Sequence, residues 1–366
     1  MSSLTDLSIE KKIGQLFFIG VGGTTVNASA DELLSEIEPG GVCLFARNIR
    51  EVEQTRELLD ALKSRSNVVP FLSLDQEGGL VDRLRRLIMP MPAANLFKDA
   101  TTVGRFGSIL AEIVRILGFN MDFAPVVDVI TTERESVSNG LFSRAFGTDS
   151  EQATEFADAF LKSLQSGGVL GCVKHFPGLG AASVDSHEEL PRVDITQEEL
   201  DSVDLVPYRR LIERKRVHSV MVAHSAYPNT RLQEETSDGK LLPSSLSANV
   251  INGLLRDKIG FEGLVITDDL EMGAIVKNFG VGEACVLAIN AGVDMLAICA
   301  DAGRIREGHS AVSEAVKSGR ISEDRVNLSM KRIYAAKSLL QEPLPFDGQR
   351  LAELSDDIAR LNDELK

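Results

Sequence analysis

The chain has 366 residues, 43% of them hydrophobic and 25% charged, and carries a formal net charge of −15. That balance suits one large globular domain or two ordinary ones. No block of Lys and Arg interrupts the acidity, which argues against nucleic acid and anionic membrane surfaces as partners, since both need clustered positive charge.

The N-terminal stretch "MSSLTDLSIEKKIGQLFF" has no basic start followed by an unbroken apolar core and a cleavage site. No apolar run approaches the roughly 20 residues that cross a bilayer. Cys43, Cys172, Cys285 and Cys299 lie far apart in apolar company, with no CxxC spacing. They read as buried, reduced thiols rather than a zinc site or a redox pair. A soluble, cytoplasmic protein is expected.

Along the chain, short apolar runs rich in β-branched residues alternate with segments of helical period. The predicted strands are 13–21, 40–46, 68–75, 119–129, 168–176, 217–224, 263–269 and 293–299. Most are almost continuously apolar, as strands buried on both faces should be. Segments such as "EVEQTRELLDALKS" and "EQATEFADAFLKSLQ" have apolar residues three and four apart and predict helices. Eight strands alternating with helices predict an α/β fold, a (β/α)8 TIM-type barrel, with a doubly wound open sheet as the alternative. Polar residues gather where the strands end: Asp75, Asp128, Lys174 with His175, His224, and Asp268 with Asp269. Barrel enzymes place their sites at such ends, which favours the barrel. "GVGG" near residue 20 has neither dinucleotide nor phosphate-loop spacing, so no nucleotide cofactor is expected. Prolines in "QEPLPFDGQ" (341–349) divide the barrel, residues 1–341, from a helical tail, residues 342–366. Leu351, Leu354, Ile358, Leu361 and Leu365 then alternate three- and four-residue steps, which fits docking on the barrel or a dimer seam. A monomer or weak dimer is expected.

Each polar motif has a structural and a chemical reading. In "LSLDQEGGLVDRL", Asp75 either caps the next helix or, with Arg83, binds vicinal sugar hydroxyls. Arg144 in "FSRAFGTDSEQ" is a surface residue or a ligand contact, and Asp149 or Ser150 can cap the helix that follows. Lys174 and His175 end a burial-ready strand and need partners there. In "VDSH", within a glycine- and alanine-rich stretch expected to be a mobile loop, Asp185 can fix the tautomer of His187 and raise the basicity of its other nitrogen. The alternative is a local turn beside an exposed histidine. "LVITDDLEMGAI" ends an apolar strand in two carboxylates; if the strand persists they face opposite ways, and one can cap a helix beginning near "LEMGAI".

As a set, "DQEGG" with Arg83, "DFAPVVDV", "SRAFGTD", "KHFPG…G…DSH…LP" and "TDDLEM" resemble glycoside hydrolase family 3, and most resemble its single-barrel bacterial β-N-acetylglucosaminidases of peptidoglycan recycling. The resemblance implies a retaining exo-β-N-acetylglucosaminidase acting on a small carbohydrate; no HxH or HExxH pair offers metal-ligand spacing, so no metal and no cofactor are expected. It implies Asp268 as nucleophile and His187 as acid/base with Asp185 as its partner. Asp75, Arg83, Arg144, Lys174 and His175 match positions that bind the terminal N-acetylglucosamine. Two residues depart from the pattern: Leu179 stands where the family usually has histidine, and Leu80 where it has arginine. A retaining glycosidase needs a carboxylate nucleophile and a separate group that gives and then takes a proton. Histidine, with an unperturbed pKa of about 6.5, suits both directions, and a neutral histidine admits phosphate as well as water as acceptor. A phosphorylase or another β-glycosidase specificity, a metal-dependent hydrolase using His175, His187, His224 and Asp268, and a non-catalytic sugar-binding protein are the alternatives.

Overall fold

The computed structural model describes residues 7–135, 140–182 and 190–366. Eight parallel strands close into a barrel: β1 (Phe17–Gly20), β2 (Gly41–Leu44), β3 (Phe71–Leu74), β4 (Met121–Asp122), β5 (Leu170–Phe176), β6 (Ser219–Val222), β7 (Leu264–Asp269) and β8 (Met295–Ile298). Each pairs with its neighbour in sequence, and β8 returns to β1 with Phe17 opposite Leu296. The open doubly wound sheet is thereby ruled out. The predicted strands hold in place but shorten, most of all 119–129, of which only two residues remain paired as a strand. Residues 13–21 are a correction. Ile9–Gln15 form a helix that ends at Leu16 before β1 begins, because the apolar spacing of Ile9, Ile13 and Leu16 fits a helical face as well as a strand.

The barrel interior is filled with side chains. Phe18 of β1 stacks on Phe71 of β3, with ring centroids 5.6 Å apart, and meets Phe123 edge-on at 5.3 Å. Gly41 on β2 makes the room: a Cβ there would lie 2.2 Å from the Phe18 ring. Phe123 is also part of the lining of the cavity above, so this aromatic layer is its floor.

Outside the barrel, Asp99 caps the helix Ala100–Leu117 and Asp149 caps the helix Ser150–Ser166, each accepting from backbone N–H groups of the first turn. The two helices pack closely at Gly107, where a Cβ would come 2.9 Å from the Phe160 carbonyl. The last helix, Gly348–Glu364, lies on Ala100–Leu117. It buries Leu351, Leu354, Ile358 and Leu361, and Arg350 grips Glu112 through two nitrogens at 2.6 and 2.9 Å. The leucine spacing thus serves docking on the barrel rather than a seam facing solvent. Among the described residues no helix is long and apolar enough to cross a membrane.

Ile358 is fully buried under this helix. Ile358→Ala should therefore cost about 2–5 kcal/mol in urea unfolding, the range for a truncated core aliphatic. A loss below about 0.5 kcal/mol, as at a surface position, would mean that the helix does not dock in solution.

Candidate active site

The C-terminal ends of the strands open into a cavity of about 430 Å3. Its lining includes Asp75, Arg83, Arg144, Lys174, His175, Asp268 and Asp269, so six of the proposed site residues converge from the ends of three barrel strands and two loops. Asp185 and His187 lie outside the described residues.

Asp75 follows β3, and the chain then folds into a small antiparallel ribbon, Gln76–Gly78 against Val81–Asp82. Gly78 and Gly79 turn it at φ 92° and 57°, values that side-chain-bearing residues rarely adopt. The buried Gln76 side chain binds Asp82 at 2.8 Å and accepts from the N–H groups of Arg83 and Leu84 at 2.9 and 3.1 Å. This fixes where Arg83 leaves the ribbon. Its guanidinium lies 3.5 Å from Asp75 and 5.6 Å from the centre of the Phe45 ring. Arg83 Nε is buried and, among the described residues, has no acceptor. Leu80, at the ribbon's tip, is 67% exposed.

Lys174 is the hub. Its Nζ lies 2.8 Å from Asp75 and 2.6 Å from Glu77. Glu77 in turn binds Arg144 through two contacts, 2.8 and 3.0 Å. Burial alone would push the Glu77 carboxyl up; Lys174 and Arg144 outweigh it and hold the group far below the ordinary carboxylate range. Burial opposes the Lys174 charge likewise, and Asp75 and Glu77 raise its affinity for the proton above the usual lysine value. Asp75 is therefore an ion-pair partner rather than a helix cap, and Arg144 is tied inward rather than solvated.

His175 points Nδ1 at Asp128, 2.7 Å away, and Nε2 lies 3.4 Å from Arg144. A carboxylate can only accept, so Nδ1 carries the proton. Asp128 also accepts from the N–H of Leu179 at 2.7 Å, tying this buried apolar residue to the site. Glu77 escaped sequence reasoning altogether. Asp128 was visible as a strand-end carboxylate, but nothing local revealed its partner 47 residues on.

Asp268 and Asp269 end β7 and both line the cavity, so the expectation that they divide between opposite faces is corrected. Neither caps the short helix that follows, Gly273–Val276: its cap position is Met272, and Asp269 accepts instead from Glu271 N–H at 3.0 Å. His224, after β6, donates from Nε2 to the Asp269 carbonyl at 3.0 Å, while Nδ1 meets the Ser245 hydroxyl at 2.7 Å. This pins the backbone immediately after Asp269. The environments then separate them. Burial raises Asp268, but His175, His224, the Asp269 N–H and Lys174 together bring it below its ordinary value. Asp269 is pushed up to about 7 by burial and by the negative charges of Glu271 and Asp268. Of these two carboxyls, Asp268 is the ionised one at neutral pH, while Asp269 titrates near neutrality. Among the described residues no group of three or more His, Cys, Asp or Glu is arranged to hold a metal ion.

Residues 8–336 match the family model for the glycosyl hydrolase family 3 N-terminal domain. The chain belongs to glycosyl hydrolase family 3. It is similar to the beta-hexosaminidase of Pseudomonas aeruginosa, 35% identical over 292 residues that cover 77% of this chain and 82% of the relative. It is 31% identical to beta-hexosaminidase A of Pseudoalteromonas piscicida over 340 residues, 87% of this chain but only 56% of that protein. Among solved structures, the family 3 beta-N-acetylglucosaminidase of Paenibacillus sp. str. FPU-7 superposes with a TM-score of 0.87 at 34% identity, covering 97% of this chain and 69% of that one.

The Glu77 network generates a stability test. A carboxyl whose pKa falls on folding stabilises the protein fully above its unfolded pKa, about 4.3, and loses that contribution as pH falls toward the folded value. Glu77→Gln leaves Lys174 and Arg144 short of a buried counter-charge. It should cost about 3–5 kcal/mol at pH 7, and the gap from wild type should narrow as pH drops below about 4. A gap constant from pH 7 to pH 3 would contradict the assignment of this ion pair.

Proposed function

We propose that the protein is a retaining exo-β-N-acetylglucosaminidase that removes terminal β-linked N-acetylglucosamine, with peptidoglycan fragments as its substrates. The observation that carries this reading is the pairing of an ionised Asp268 with a rigid hydroxyl-binding wall in one cavity. The hexosaminidase names of the relatives support the choice of sugar.

Asp75, Arg83, Lys174, Arg144 and His175 are proposed to bind the terminal sugar. Ion pairs among them and with Glu77 and Asp128 fix the side chains before substrate arrives, so little ordering remains to be done on binding. Asp268 is proposed as the nucleophile: being ionised below neutral pH, it can attack the anomeric carbon and form a glycosyl ester while the aglycone leaves. His187, held by Asp185, is proposed to protonate the departing oxygen and then to take a proton from the incoming water. Asp269, half-protonated, limits the negative charge beside the nucleophile.

Initial rates on 4-nitrophenyl β-glycosides of N-acetylglucosamine, glucose and xylose, with and without phosphate, test the specificity. N-acetylglucosaminide should be turned over fastest without added phosphate. Preference for glucose or xylose would replace the sugar assignment, and dependence on phosphate would favour a phosphorylase. The role of His187 has a separate signature. His187→Ala should lose roughly 10²–10⁴-fold on substrates with poor leaving groups, far less in kcat/KM with a dinitrophenyl leaving group, and should regain turnover with azide. Equal losses on both leaving groups without azide rescue would reduce His187 to a binding residue.

A further inference from the structure

Cys43 and Cys299 also line the cavity, and the proposed chemistry uses neither. They flank β1 from opposite sides. Cys43 of β2 is the register partner of Gly20, the last residue of β1. Ile19 pairs with Ile298 of β8, which brings Cys299, the next residue, alongside Gly20 on the other flank. Glycine leaves no side chain between them. A Cβ at Gly20 would in fact fall 1.8 Å from the Cys299 carbonyl oxygen, an oxygen that Arg47 also holds. Both cysteines are free and buried, so access to them is through the cavity.

The spacing decides which chemistry the pair can do. Two strand separations of about 4.8 Å each exceed the roughly 7 Å between Cα atoms that a disulfide tolerates. One soft atom placed between the sulfurs reaches further, about twice a metal–sulfur distance of roughly 2.3 Å. Thiolates are the preferred ligands of soft metals.

We propose that Cys43 and Cys299 form a two-thiol site for a single soft metal or metalloid atom in the wall of the cavity, and that filling it blocks sugar binding. The blocking half rests on the glycosidase reading above; the binding half does not. With phenylarsine oxide as probe, each thiol loses its proton, two As–S bonds form, and the oxygen on arsenic leaves as water. No oxidant or reductant is consumed.

The test incubates the native full-length protein with phenylarsine oxide and reads intact mass and activity together. One phenylarsenic group per chain should bind, survive excess 2-mercaptoethanol, and leave on addition of 2,3-dimercaptopropanol with recovery of activity. Peptide mapping should find the arsenic bridging the peptides of Cys43 and Cys299, which keeps the test decisive in wild-type protein should a variant misfold. Cys43→Ser and Cys299→Ser should each abolish the monothiol-resistant adduct. An adduct retained in either variant, one stripped by 2-mercaptoethanol, or none at all would overturn the site. A correct adduct with undiminished activity would overturn the blocking half alone.

Discussion

An ammonium group closed off from water needs negative charge in contact with it, and Lys174 sets that requirement at the end of β5. Asp75 and Glu77 meet it from the far side of β4, and Glu77 then requires Arg144. The ribbon 76–82, with its two left-handed glycines and the buried Gln76 side chain, is what brings Glu77 and Arg83 to one place. Removing one member would leave an uncompensated buried charge rather than a small gap. The wall of the cavity is therefore fixed by electrostatics before any ligand enters.

The same network acts on β7, two strands further round the barrel. Lys174 and His175 contribute to keeping Asp268 ionised, while Asp269, one residue on, is held near half-protonation by burial and by its acidic neighbours. Two carboxyls of identical chemistry thus differ because one faces the cations and the other faces Glu271. Separation of this kind is how a site obtains an ionised and a protonated acid at one pH. His224 contributes through the backbone, by holding the carbonyl of Asp269.

The barrel was legible because apolar strands with polar ends leave a pattern that needs no tertiary information. Where it misled, at Ile9–Gln15, a short apolar run obeyed both periods at once and only packing could choose between them. The positions of Asp75, Lys174, His175 and Asp268 were readable for the same reason: polar groups at the ends of buried strands stand out. Their partners were not. Arg144 and Glu77 are 67 residues apart and His175 and Asp128 are 47 apart, so those pairings exist only once the barrel closes. The direction in which Asp269 faces was hidden likewise, since the pairing of β7 with β8 shifts register between Ile266 and Asp269 and simple alternation no longer applies.

The account turns on Asp268 being the carboxylate that attacks the sugar. A slow 5-fluoro N-acetylglucosaminyl substrate, trapped on the enzyme and mapped by peptide mass spectrometry, tests this most directly. The account predicts one sugar per chain, esterified to Asp268. A sugar on Asp269 would contradict it, as would inactivation-free turnover that leaves no residue labelled.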